Sequence, residues 1–430
     1  MAEGYLSGIS GASMTTADAL SPPGSAGAVQ FLGKEGAYWR LRIKGAGFLL
    51  LTLGIYRFWF ATDIRRYLWS STEIGGDSLE YTGLATELLG GFLLAIAIMV
   101  PLYSAIAAAA LTLDTSEEIV AAVGFVLLVL LSQFALYRAR RYRLTRTVFR
   151  GVRFDQHGSA WRYALYALLW WTLAIATIGL AYPWAQAALQ RFKMRHTSYG
   201  DLAGSFTGSG SELFIRGLPI WCLVVTPTAC ALVALSHMVD WNALNKMVAA
   251  GEGHPLGVLA HNANASVFMM TAGGFAVSAI AALALYPLFA ALMMRWWISG
   301  LRFGPVTAQS HLRAGQVYRI YLRFVALFFL FLLLTFAAAG AGTFIVDRLF
   351  KPGADVKELL ASLDTIVLYV VIVLGASTIY QVVVTFAMWR LGVQTAELSG
   401  ANALDSVCAA GGPSSALGEG LADALGVGGV

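Results

Sequence analysis

Charge is the first thing this sequence lacks. Asp, Glu, Lys and Arg make up 12% of its 430 residues, against about a quarter in an ordinary soluble protein. A water-facing surface cannot be kept wet with so few charges, so lipid is the expected outer solvent. Cysteine is scarce too. Cys222 and Cys230 lie in or beside an apolar run and Cys408 in a polar tail; no CxxC pair or disulfide framework appears, so secretion is not indicated. Short catalytic signatures are missing: there is no Walker A run, GxSxG, HExxH or GxGxxG, so no enzymatic constellation emerges and no cofactor is implied. His237, Asp240, His254 and His261 share one loop at spacings that match no common ligand pattern, so no metal site is expected. No recognised nucleic-acid-binding module is present. Residues 1–28 have neither the basic nor the apolar part of a signal peptide. Rich in Ser, Gly, Ala and Thr, they read as a disordered cytoplasmic tail, and residues 398–430, rich in Gly and Ala, read the same way.

What is present in quantity is apolar sequence, 58% of the chain. A transmembrane helix needs about 20 apolar residues. Six runs qualify, at roughly 86–110, 119–137, 213–236, 268–294, 324–346 and 365–389. Two more are ambiguous. Residues 46–60 (AGFLLLTLGIYRFWF) are short and interrupted by Gly54 and Arg57; residues 161–184 (WRYALYALLWWTLAIATIGLAYPW) carry Gly179 and Pro183 near their end.

Basic residues arbitrate, because they collect on the cytoplasmic side. If all eight runs cross, the 29 Lys and Arg divide 14 to 15, which is no bias. If the two ambiguous runs enter and leave on one face, 25 fall on one side, and only Lys246, Arg348, Lys351 and Lys357 fall on the other. The favoured reading is therefore an all-α polytopic membrane protein. It has six full transmembrane helices plus two re-entrant or interfacial broken helices, with both termini in the cytoplasm; eight spans is the alternative. Asp355–Leu363 reads as an amphipathic helix on the periplasmic surface.

Residues 52–88 and 177–213 match without a gap at an offset of 125. Thr52, Gly54 and Trp59 correspond to Thr177, Gly179 and Trp184. Arg66 and Tyr67 correspond to Arg191 and Phe192, and Glu87 and Leu88 to Glu212 and Leu213. So many matches in register signal an internal repeat. Each unit reads as a short cytoplasmic strand (Tyr38 to Lys44, by period two), then a broken helix carrying Thr-x-Gly. A basic-aromatic helix along the membrane surface, a second short strand (Leu79–Gly83) and two spans complete it. The copies run parallel. The units fall at 29–137 and 138–297; residues 298–397 form a degenerate or truncated third, of which Arg295–Gly304 and Ala387-Met388-Trp389-Arg390 are traces.

The run LTLGIYRFWFATDIRRYLWSSTEIGGDSLEYTGLATELLGGF resembles the YjgN-like family of bacterial inner-membrane proteins, a family of unknown function. The resemblance covers most of residues 30–395 and implies a multi-span architecture in the inner membrane. It brings no activity, substrate or catalytic residue.

Eight residues stand out as candidate binding groups. Glu87 and Glu212 open spans in both copies, with Arg66 and Arg191 as repeated basic partners. They suit a pair of polar sites at the membrane face, although the helix dipole alone also favours Glu in a first turn. Thr52/Gly54 and Thr177/Gly179 break matched helices, a pointer to a transporter's site, although Gly also ends helices by turning left-handed. The clusters Arg65, Arg66, Tyr67, Trp69 and Arg191, Phe192, Lys193, Arg195, and the Arg-rich stretch 138–153, suit anionic lipid headgroups. The expected function is transport or permeation of a small molecule or lipid. The alternative is a non-catalytic scaffold, assembly factor or complex subunit with protein partners.

Overall fold

The computed structural model describes residues 28–112, 117–238, 242, 246, 265–350, 353–410, 412, 415–425 and 427. The N-terminal tail, all but its last residue, and the loop carrying Asp240, His254 and His261 lie outside them.

The fold is a ring of short strands with five helix pairs hanging from one rim. The strands are β1 (Val29–Phe31), β2 (Thr72–Ile74), β3 (Asp77–Ser78), β4 (Glu80–Tyr81), β5 (Thr147–Phe149) and β6 (Val152–Gln156). They continue with β7 (Thr197–Tyr199), β8 (Leu202–Phe206), β9 (Leu301–Phe303), β10 (Val306–Ser310) and β11 (Ala396–Ser399). Strands β4 to β11 form one curled eight-stranded antiparallel sheet, and β1 to β3 a second sheet. Only Leu79 separates β3 from β4, and a bridge between Ala28 and Glu397 joins β1 to β11. The two sheets thus follow one another around the ring.

Each helix pair lies between two neighbouring strands. Helices α1 (Glu35–Leu51) and α2 (Arg57–Ser70) sit between β1 and β2, where Val29 faces Ile74. Helices α3 (Ala85–Thr112) and α4 (Glu117–Thr145) sit between β4 and β5, where Tyr81 faces Thr147. Helices α5 (Ala160–Ala176) and α6 (Tyr182–Arg195) sit between β6 and β7, and α7 (Gly210–Met238) and α8 (Ala265–Gly300) between β8 and β9. The last pair, α9 (Ala314–Phe350) and α10 (Ala354–Tyr380), sits between β10 and β11; its return leg runs on through a π segment (Gln381–Phe386) into α11 (Ala387–Gln394). Because the flanking strands are adjacent and antiparallel, every pair leaves and returns at the same rim.

The opposite rim consists of tight turns. Gly75, Gly76, Arg150, Gly151, Gly200 and Gly304 take positive φ there, a conformation open to Gly at little cost. A recurrent joint feeds four of the strands. Thr72, Thr147, Thr197 and Thr395 each donate a hydroxyl to the carbonyl four residues back, at 2.7–2.9 Å, where the returning helix ends.

Six helices, α3, α4, α7, α8, α9 and α10 with its continuation, are long and apolar enough to cross a membrane. They match the six expected runs and extend beyond several of them toward the ring. By contrast α1 and α2, with 17 and 14 residues, reach only about 25 and 21 Å at 1.5 Å per residue, short of a bilayer core of about 30 Å.

Several expectations are corrected. The period-two segment Tyr38–Lys44 is helical, because its buried positions are Tyr38, Arg42 and Gly45, spaced four and three apart. The basic-aromatic segment after each break is the return leg of a helical hairpin. Asp355–Leu363 is the first part of α10, tied to α9 by Lys357–Asp347 at 3.1 Å. The pair between β10 and β11 has no Thr-x-Gly stop, and its helices run to 37 and 27 residues. The fold class gains a ring of strands, and residues 398–430 include a 3-10 helix (Ala401–Ser406) and an α-helix, α12 (Leu417–Ala424).

The ring is filled. Ile74, Phe149, Val152, Phe154, Tyr199, Leu202 and Phe303, from six strands, meet Leu404 and Val407 of the tail in one apolar cluster.

Candidate functional site

The matched helix breaks are turns. Gly54 and Gly179 sit at φ +92° and +85°, and the residues before them, Leu53 and Ile178, are also left-handed. Gly54 N donates to Leu49 O at 2.8 Å and Gly179 N to Ala174 O at 2.7 Å, the six-to-one bond of a Schellman cap. Thr52 Oγ1 donates to Phe48 O and accepts from Tyr56 N; Thr177 Oγ1 donates to Leu173 O and accepts from Ala181 N. Both hydroxyls are committed to their own hairpins.

The repeated charges divide. Arg66 Nη2 donates to Gly83 O and Arg191 Nη2 to Gly208 O, each at 3.1 Å, so these two arginines play one part in both copies. The glutamates do not. Glu87 accepts from Arg146 at 2.7 Å and from Tyr142 at 2.8 Å, whereas Glu212 pairs with Arg216 of its own helix at 2.8 Å. Neither meets the Arg expected beside it.

The arginines of 138–153 are mostly half-buried and bonded within the chain. Arg140 donates to Gln156 and Thr197 at 2.8 and 3.0 Å, Arg153 to Thr82 and to Thr145 O, and Arg150 to Asp77 at 2.6 Å and to Asp405. They stitch strands and tail together.

Cavities lie beside both short hairpins. Arg40, Lys44 and Arg66 line the first, of about 880 Å³, with Asp63 and Glu80 among them. Arg162, Arg191 and Arg195 line the second, of about 570 Å³, with Tyr166, Trp170, Trp184 and Phe192. No acid lines the second: Ala188 stands where the first copy has Asp63, and Ser205 where it has Glu80. On the far side of α6 is an apolar cavity of about 380 Å³, bounded by Gly179, Pro183, Phe214 and Trp221. Trp184 lines one cavity and Phe214 the other, and their rings pack 4.7 Å apart.

Lys193 lies on the same helix, α6, and is half-buried. Burial, with the Arg140 guanidinium beside it, pulls its ammonium down to about 7. The unfolded chain keeps that proton up to the ordinary 10.5, so between those values the unfolded state binds more protons and stability rises with pH. We expect wild type to melt at a lower temperature at pH 7.5 than at pH 9.5, relative to Lys193→Met measured alongside. A constant difference between the two proteins would count against a buried, readily neutralised Lys193.

One arrangement was not foreseen. Glu419 of α12, 6% exposed, pairs with Arg65, 3% exposed. Arg143 is 3.8 Å from the same carboxylate, and Asp423 pairs with Arg57. The signal was faint: two acids in a Gly- and Ala-rich stretch, far in sequence from their arginine partners.

Together these features define a multi-span helical membrane protein with basic-aromatic cavities at the ring end of its helices. The chain belongs to a family described as bacterial protein of unknown function (DUF898), whose model matches residues 26–424, in keeping with the YjgN-like resemblance. No curated protein and no solved structure matches it.

Proposed function

We propose that this protein binds anionic lipid at the cytoplasmic face of the bacterial inner membrane and functions in the transport or permeation of lipid. The observation that carries the reading is the second cavity. Three arginines without an acid, framed by four aromatic rings, open beside an apolar cavity across one Trp–Phe contact. Basic groups attract anionic headgroups, aromatic rings favour the membrane interface, and the apolar side suits an acyl chain. A small polar solute is less well served, since both Thr-x-Gly elements serve as turns. In this proposal the ring is cytoplasmic, the three long pairs cross, the two short pairs re-enter as parallel repeats, and both termini stay inside. The scaffold reading draws support from the fifth and sixth spans, whose most apolar stretches bury nothing within the chain.

The test is retention of phosphatidylglycerol by purified protein in nanodiscs, with Arg162→Gln, Arg191→Gln and Arg195→Gln combined. At about 1 kcal/mol per basic residue, the affinity of this cavity for phosphatidylglycerol should fall by about two orders of magnitude, and retention and lipid movement in reconstituted vesicles should fall with it. Equal retention by the variant and wild type would overturn the proposal.

A further inference from the structure

The tail helix α12 lies between two spans in a groove that is basic at one end and apolar along its length. Arg57 and Arg65 of α2 and Arg143 of α4 form the basic end, which now holds Asp423 and Glu419. The apolar wall is Ala95 and Met99 of α3 with Ala135 and Ala139 of α4, and Leu421 and Ala422 pack against it. Met99 is about 21 Å along α3 at 1.5 Å per residue, so the groove follows the span well into the region that lipid chains occupy. The occupant thus has the form of an anionic amphiphile: carboxylates at the arginines, apolar side chains on the wall.

We propose that this groove is a binding site for an anionic lipid, with the phosphate at Arg57, Arg65 and Arg143 and an acyl chain along α3 and α4, and that α12 is its resident, displaceable occupant. Three arguments support it. An ionisable residue at membrane depth marks function unless something else explains it, and Arg57, near the exposed apolar tip of its hairpin, has Asp423 for a partner. The fit between helix and groove is close on the apolar side but leaves a void of about 50 Å³ among Arg57, Arg65, Glu419 and Asp423. That space suits a water and not a headgroup, so lipid must displace the helix. Finally, α12 is short, rich in Gly and Ala, and joined to the ring by a stretch of small residues, so its docking rests on these contacts rather than on helix propensity. This site is separate from the cavity between α5 and α6 and does not rest on it.

Hydrogen exchange of residues 416–425 in the full chain tests the proposal. In phosphatidylcholine nanodiscs the segment should exchange slowly. Adding phosphatidylglycerol should speed exchange about tenfold, and inorganic phosphate with phosphatidylcholine alone should not. The full-length variant Glu419→Gln with Asp423→Asn, which keeps side-chain shape, should exchange fast in both discs and retain more phosphatidylglycerol than wild type. The response of the tail should persist when Arg162, Arg191 and Arg195 are changed to Gln. Unchanged exchange on adding phosphatidylglycerol overturns the proposal. Release by inorganic phosphate alone overturns the part given to the apolar wall, and loss of the response in the Arg162, Arg191 and Arg195 variant moves the site elsewhere.

Discussion

Gly420→Ala is expected to expel the tail helix from between α3 and α4. A Cβ on Gly420 would lie 1.9 Å from the carbonyl carbon of Gly91, and one on Gly91 would lie 2.5 Å from Ala416 O. Both obstacles are backbone, so neither can swing aside, and small residues are what allow helices in a membrane to approach this closely. Gly91→Ala should therefore give the same result from the other side. Gly90→Ala is the control, since nothing lies within 4 Å of a Cβ there. Loss of docking also removes Glu419 and Asp423 from their arginines, so the two acids and the apolar residues leave together. Exchange of residues 416–425 should rise to the rate of an unprotected segment in both variants and stay slow in the control. Slow exchange in Gly420→Ala would mean that the helix does not sit where the structure has it.

Phe386→Ala is expected to carry the largest loss of stability. Phe386 is 1% exposed and stacks on Tyr38 at 4.7 Å, with Phe31 edge-on at 5.4 Å. With Phe60, Ile64 and Leu68 these rings form the cluster where the first helix pair and β1 meet the last returning helix. Removing a buried Phe costs about 3–5 kcal/mol, and here the loss falls on the seam that closes the ring. The comparison is Phe329→Ala, on α9, where the side chain is 66% exposed and faces the surface that lipid covers. Unfolding in mixed micelles should separate the two by several kcal/mol; equal losses would mean that the ends of the chain do not meet. A second tie across the same seam is Glu35 with Arg323, at 3.1 Å. The Arg323 hydrogen bond holds the Glu35 carboxyl below its ordinary pKa, so this contribution is present above the unfolded value and is lost as pH falls through the folded one.

The long helices were legible because lipid imposes one rule on them, a continuous apolar run. The breaks in the two short hairpins were legible because each needs Gly at its left-handed position and Thr to close the turn, and both recur at a fixed offset; that the chain doubles back there was not. The strands were not. They are two to five residues long, and only the ring as a whole shows their pairing. Period two misled at Tyr38–Lys44, where a few alternating residues cannot outweigh a helix whose buried positions recur every three or four. A better signal was available: Thr72-Glu-Ile-Gly, Thr147-Val-Phe-Arg-Gly, Thr197-Ser-Tyr-Gly and Leu301-Arg-Phe-Gly mark the return of four helix pairs to the ring. The arginine groove was hidden for another reason. A Gly- and Ala-rich tail reads as disorder in water, yet small residues are what a narrow gap between two spans admits.

The arrangement of the helix pairs is tested most directly by single-cysteine labelling with a membrane-impermeant reagent, in a chain freed of the exposed Cys222, Cys230 and Cys408. Cysteines are placed at Glu118, at the far end of the α3–α4 pair, and at Asp201, in an exposed turn of the ring. Three crossing pairs and two re-entrant ones require the two sites to label from opposite sides of the membrane. Labelling of both from the same side would mean that the α5–α6 segment passes through the membrane once, as a single span, with the ring divided between the two faces, and would contradict the account.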